Sequence, residues 1–108
     1  MNSIYTDEHL TVDFERRSAI LDSKPISMTD KEFDLLAFLV RHAGMVVTPS
    51  ALLSNVWGYS PEARTRTLDV HLSRLRKSLS PYGDLYLERV FRMGCRFQPC
   101  ARTLQLSA

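Results

Sequence analysis

Apolar and polar positions alternate over Leu10-Thr11-Val12-Asp13-Phe14, the two-residue period of a strand with one buried face. Arg17 through Leu21 forms a second strand candidate, Asp22-Ser23 a turn, and Pro25 to Met28 a third short strand; Ile4 and Tyr5 begin a fourth. A small antiparallel sheet is therefore expected ahead of the first helix. Beyond it the period changes. Phe33, Leu36, Ala37 and Val40 recur at helical spacing, Thr29 and Glu32 make a capping-box pair at the start, and Gly44 follows as a terminator.

Met45-Val46-Val47 reads as one strand-like rung. Thr48 then caps a second helix whose first turn accepts Pro49, and Leu52, Leu53, Val56 and Trp57 supply its apolar stripe before Gly58 stops it. A third helix is predicted from about residue 65 to residue 79. Leu68, Leu72, Leu75 and Leu79 lie on its core side, with Arg66, Val70, Ser73, Arg74 and Lys77 opposite. Ser80 to Asp84 closes it, and Leu85 to Val90, a turn at Phe91-Arg92-Met93-Gly94, and Cys95 to Gln98 read as a terminal hairpin that Pro99 ends. Residues 101–108 carry no strong structural signal and are expected to fray. The elements make an α+β chain: a four-stranded antiparallel amino-terminal sheet, three helices and a carboxy-terminal hairpin.

A length of 108 residues suits a single domain across 1–108, with its core at about residues 5–98. No apolar run approaches the roughly 20 residues of a membrane span, and Asp7, Glu8 and Asp13 interrupt any signal-peptide core, so a cytoplasmic protein is the default. Cys95 and Cys100, with four residues between them, do not have the spacing of a redox or zinc pair and read as buried or incidental thiols, with no metal or cofactor expected. His9, His42 and His71 fall in unrelated segments, and no nucleophile–base or paired-carboxylate pattern points to an enzyme.

Charge is informative through its distribution. The net charge is +2, but residues 1–62 hold nine acidic and five basic side chains, whereas residues 63–108 hold nine basic and three acidic. A basic second half can steer and hold a phosphate backbone. Two helices joined by a short loop, the second basic on its outer face, can lay that second helix in a major groove. Arg66, Thr67, His71, Ser73, Arg74, Arg76 and Lys77 are the candidate contacts on the helix, and Arg89 and Arg92 those on the hairpin. Four residues have a structural alternative: His71 borders the leucine face, Trp57 suits packing at the end of the second helix, Arg76 can pair with Asp69 or phosphate, and Arg96 has a mixed structural and surface role.

The stretch Arg66-Thr67-Leu68-Asp69-Val70-His71-Leu72-Ser73-Arg74-Leu75-Arg76-Lys77 resembles the recognition helix of OmpR/PhoB-type response-regulator effector domains. Met28 to Leu36, Val46-Val47-Thr48, Leu52-Leu53 and Val56-Trp57-Gly58-Tyr59 match that family in order and spacing, so the resemblance covers about residues 5–98. It implies a winged helix-turn-helix acting as the transcription-regulating output domain of a two-component system, its recognition helix at about 65–79 in the major groove and its wing at about 86–98 near the minor groove. Arg66, His71, Ser73, Arg74 and Arg76 match positions that often meet DNA in the family, and Trp57 one that can contact phosphate. Gly58, Tyr59, Ser60, Pro61, Glu62, Ala63 and Arg64 match a segment implicated in contact with RNA polymerase. The resemblance also implies binding to direct repeats as a tandem homodimer, and a receiver domain in a longer parent chain.

The wing departs from the family pattern, which usually runs Val-Arg-Gly-x-Gly-Tyr-Arg-Phe. Here Phe91 stands where the wing arginine is customary, Arg92 where a glycine is, and Cys95 where a tyrosine is. Arg92 or Arg89 then replaces the missing arginine, Phe91 packs against the domain or against DNA sugars, and Arg92 is expected to give the turn a different geometry because it lacks glycine's freedom at positive φ. Two rivals to sequence-specific DNA binding are a winged-helix protein-interaction module, which calls for an apolar hot spot on the outer face, and a nucleic-acid binder without sequence choice.

Overall fold

The computed structural model describes residues 3–60 and 66–100. Four strands, β1 (Ile4–Thr6), β2 (Leu10–Asp13), β3 (Ser18–Leu21) and β4 (Lys24–Pro25), form an antiparallel sheet in chain order. Its inner face carries Leu10, Val12, Ala19 and Leu21, paired across β2 and β3 as Leu10 with Leu21 and Val12 with Ala19. Asp22 and Ser23 both take positive φ, +49° and +70°, as a two-residue turn between twisted antiparallel strands demands. The third expected strand is shorter than predicted, ending at Pro25 instead of Met28. Pro25 has no N–H for a further neighbour and sits on the sheet edge.

Helix α1 (Asp30–Arg41) begins with both halves of the expected capping box: the Glu32 amide donates to Thr29 Oγ1 at 3.2 Å, and the Thr29 amide to Glu32 Oε1 at 3.1 Å. Leu35 and Leu39 are buried together with Phe33, Leu36 and Val40, whereas Ala37 is only partly covered. The apolar arc is wider than predicted because α1 packs against α3 as well as the helix that precedes it. Strand β5 (Val46–Val47) leads to α2 (Pro49–Leu52), capped by Thr48 as expected, and the helix continues as a wider π turn over Leu53–Trp57. Lys31 Nζ donates to the Val56 carbonyl at 2.9 Å and anchors that turn to α1.

Helix α3 (Thr67–Ser78) buries Leu68, Leu72 and Leu75, with Leu79 closing its end at no exposure. The predicted start at residue 65 lies outside the described residues, as do Pro61, Glu62, Ala63 and Arg64 of the candidate polymerase loop and the carboxy-terminal stretch 101–108. After α3 the prediction is corrected. Leu85 does not open a strand; Gly83–Tyr86 form a one-turn helix, α4, a fourth where three were expected. A side-chain carbon on Gly83 would lie 2.2 Å from the Arg76 carbonyl oxygen, so this turn packs directly on the backbone of α3. The turn drives Tyr86 fully into the core, stacked on Phe97 at 5.4 Å.

Strands β6 (Leu87–Val90) and β7 (Gly94–Phe97) form the hairpin, and β5 joins them on the far side of β7, giving a three-stranded sheet in the order β5-β7-β6. Gly94 is required at this junction. Its φ is +148°, and a side-chain carbon there would stand 2.1 Å from the Val47 carbonyl oxygen. Arg96 and Glu88, opposed in register, form an ion pair at 2.8 Å that braces the hairpin. The fold is thus α+β, a winged helix whose hairpin is held against α3 by core, backbone and ion-pair contacts.

Candidate nucleic-acid interface

Helix α3 and the hairpin tip form one face of the molecule. Burial of Leu68, Leu72 and Leu75 rotates Arg66, Val70, Ser73, Arg74 and Lys77 into the open. On the hairpin, Arg89, Phe91, Arg92 and Met93 are exposed. Between them runs a groove of about 280 Å³, floored by Leu68, Leu72 and Val47 and flanked by Asp69 on α3 and by Arg89, Arg92 and Met93 on the hairpin. Among the described residues, Arg66, Arg74, Lys77, Arg89 and Arg92 make no ion pair, whereas Arg16, Arg17, Lys31, Arg76 and Arg96 are each paired with a carboxylate. Among the described residues of the second half, the uncompensated cations therefore gather on the α3 and hairpin face.

Four sequence candidates are partly absorbed by the fold. Arg76 does not pair with Asp69. Its Nη2 donates to the Leu87 carbonyl at 3.0 Å and its Nε stands 3.3 Å from Asp84 Oδ1, because α4 brings the start of β6 beneath the last turn of α3. Arg76 thus fixes the angle between helix and wing. His71 is half-buried: Nδ1 donates to the Thr67 carbonyl at 2.8 Å, and the ring meets Trp57 edge-on at 5.0 Å. Thr67 is likewise half-buried in the first turn of α3. Trp57 has the packing role weighed for it, covering the join between the second and third helices.

The wing turn corrects a further expectation. Arg92 adopts φ of +63°, so the arginine itself takes the left-handed conformation that glycine favours. Phe91 does not pack on the domain; it is 80% exposed, with the Arg92 guanidinium 5.2 Å from its ring centre. Met93, at 58% exposure, and Val70, at 42%, are the apolar members of this face that charge-based reasoning passed over. Their positions, one at a hairpin tip and one opposite the leucine stripe, were the available signals. Cys95 lies buried at the groove floor, and burial, outweighing the attraction of the Arg76 guanidinium, pushes its thiol above the ordinary range. Tyr59, in the candidate polymerase loop, is exposed beside Gly58 and Ser60.

Behind this face, Asp7 gathers the amino-terminal turn and the base of the wing. It accepts from the Tyr5 hydroxyl, from Tyr86 Oη at 2.7 Å, and from the amides of Leu10 at 2.9 Å, His9 at 3.0 Å and Cys100 at 3.0 Å. Burial raises its carboxyl, but the hydrogen bonds from Tyr5, Tyr86, Leu10 and Cys100 together outweigh it and hold the group below the usual carboxylate range.

The profile of the family described as "Transcriptional regulatory protein, C terminal" matches residues 23–97. The uncharacterized transcriptional regulatory protein YclJ of Bacillus subtilis is 38% identical over 91 residues, covering 83% of this chain and 40% of that protein. Sensory transduction protein RegX3 of Mycolicibacterium smegmatis is 37% identical over 89 residues, covering 81% of this chain and 39% of that protein. The chain thus spans about two fifths of the length of these curated relatives. Among solved structures, the RstA DNA-binding domain of Klebsiella pneumoniae in complex with the RstA box superposes with a TM-score of 0.81 at 31% identity, covering 91% of this chain and 99% of that one. The Thermotoga maritima response regulator DrrB, an OmpR/PhoB homolog, gives 0.81 at 28% identity, covering 90% of this chain and 45% of that one. The chain belongs to the OmpR/PhoB-type family of transcriptional regulatory protein C-terminal domains, which are DNA-binding winged helices of response regulators and not enzymes.

Proposed function

We propose that this domain binds double-stranded DNA sequence-specifically and regulates transcription as the output domain of a two-component response regulator. The observation that carries the proposal is the gathering of Arg66, Arg74, Lys77, Arg89 and Arg92, which make no ion pair among the described residues, on one face made of α3 and the hairpin tip. Helix α3 enters the major groove, where Arg74 and Arg66 reach base edges or phosphates, Ser73, Thr67 and Lys77 add polar contacts, and His71 offers the ring nitrogen that Thr67 does not engage. Arg76 is a positioning residue that holds the wing. The wing lies toward the minor groove, with Arg92 and Arg89 on phosphates or the groove edge and Phe91 against sugar atoms. Trp57 contributes packing beneath this face and, at its exposed edge, a phosphate contact.

The further assembly follows the family resemblance. Two copies bind direct repeats as a tandem homodimer, the segment Gly58 to Arg64 meets RNA polymerase, and a receiver domain in a longer parent chain supplies the phosphorelay input in the cytoplasm. No helix among the described residues is long and apolar enough to cross a membrane.

Exposed Val70, Phe91 and Met93 favour one rival, a protein-binding winged helix. Selection from a random duplex library, followed by titration of the winner and a scrambled duplex at two salt concentrations, separates the possibilities. The expected result is a repeated motif bound at least ~10³-fold more tightly than the control. Equal binding to both duplexes leaves sequence-blind phosphate attraction, and an absence of binding moves the face to protein recognition.

A further inference from the structure

Away from the α3 and wing face, two distant segments bring soft and hard metal ligands together. Glu8 and His9 lie in the turn between β1 and β2, and Cys100 lies just after β7. A carboxylate oxygen, an imidazole nitrogen and the thiol sulfur of these residues all fall within 4.8 Å of one another. The backbone holds the segments in place: the Glu8 amide donates to the Cys100 carbonyl at 3.4 Å, and the Cys100 amide to Asp7 Oδ2 at 3.0 Å.

The histidine is also oriented. His9 Nδ1 is 2.7 Å from Asp22 Oδ1, its ring stacks on Tyr82 at 4.0 Å, and the Tyr82 hydroxyl donates to Asp22 Oδ2 at 2.6 Å. With Nδ1 facing a carboxylate, Nε2 is the nitrogen left for a ligand, the arrangement in which a carboxylate behind a histidine sets its tautomer and strengthens it as a donor.

We propose that Glu8, His9 and Cys100 form a zinc-binding site, with water in the fourth position. A mixed nitrogen, sulfur and oxygen donor set suits Zn²⁺ and disfavours Mg²⁺ and Ca²⁺, which take oxygen ligands. Zinc bonds of roughly 2.0 Å to nitrogen and oxygen and 2.3 Å to sulfur place tetrahedral ligands roughly 3.3–3.6 Å apart. The three side chains therefore close by at most about 1.5 Å to reach these distances. On binding, the Cys100 thiol loses its proton to solvent and the sulfur coordinates as thiolate. The metal then ties the chain leaving the wing to the first turn of the amino-terminal sheet, on the same side as the Asp7 hub. Neither the site nor its test depends on the DNA-binding proposal.

Titration of the reduced, metal-free 108-residue chain with Co²⁺, read by absorption and followed by displacement with Zn²⁺, tests the site. A thiolate-to-cobalt charge-transfer band saturating at one equivalent is expected, abolished by Zn²⁺. Cys100→Ser removes the band while Cys95→Ser retains it, His9→Gln weakens binding at least tenfold, and Asp22→Asn weakens it by about 10–100-fold. Circular dichroism checks that each variant is folded. The proposal is overturned by the lack of a saturable band in the wild type, by its persistence in Cys100→Ser, or by unchanged affinity in His9→Gln.

Discussion

Replacing Arg92 by alanine and by glycine separates the strain of its backbone from the work of its charge. At φ of +63° an L-residue carries a cost of about 1 kcal/mol relative to glycine. The guanidinium 5.2 Å from the exposed Phe91 ring contributes about 0.5 kcal/mol. Arg92→Ala loses that contact and keeps the strain, so it is destabilised by about 0.5 kcal/mol. Arg92→Gly loses the same contact but releases the strain, leaving it about 1 kcal/mol more stable than the alanine variant, or about 4–8 °C in Tm for a domain of this size. Both variants lack the same cation, so both weaken binding to the selected duplex equally and lower the slope of log affinity against log salt by about 1 if Arg92 meets phosphate. Urea denaturation and fluorescence anisotropy measure the two effects separately. Equal stability of the two variants would refute the strain, and wild-type affinity and salt slope in both would refute the contact. Weakening confined to alanine would assign the role to turn shape instead of charge.

Arg74→Ala should weaken the selected duplex by about 1–3 kcal/mol and relax choice at one base position, whereas an equal loss on every sequence identifies a phosphate contact. Phe91→Ala, once shown to be folded, should cost less affinity than Arg92→Ala in the same anisotropy assay. Asp7→Ala strips the Tyr5 and Tyr86 hydroxyls and three amides of their acceptor and should cost about 3 kcal/mol in urea denaturation. Because the folded Asp7 carboxyl lies below its ordinary value of 3.8, its contribution is complete above that pH and is lost as pH falls through the folded value; Asp7→Asn should therefore flatten the acid limb of a stability profile. In native protein a thiol reagent should modify half-buried Cys100 well before buried Cys95, and both at similar rates in denaturant; equal native rates would contradict the packing of β7.

The Thr29 and Glu32 capping box, the Thr48-Pro49 helix start, the leucine face of α3 and the alternation of β2 were legible in the order of residues. Each is decided within one or two turns of chain, where dihedral preference and side-chain period act directly. The same local signals brought out the cations of α3 and the hairpin, and the family resemblance supplied their orientation toward DNA. The third dimension decided which of those cations are available. The sequence offered Arg76 only Asp69 or phosphate as a partner; α4 instead carried the Leu87 carbonyl and Asp84 to its guanidinium. The left-handed turn at Arg92 was likewise decided by the β6 and β7 pairing, which holds the hairpin closed whether or not glycine occupies that position. Asp7 meets Tyr86 across 79 positions, and Glu8 and His9 meet Cys100 across more than 90. Local periodicity carries no record of such meetings, because they arise only when burial of the leucine faces folds the sheet, the helices and the wing onto one core.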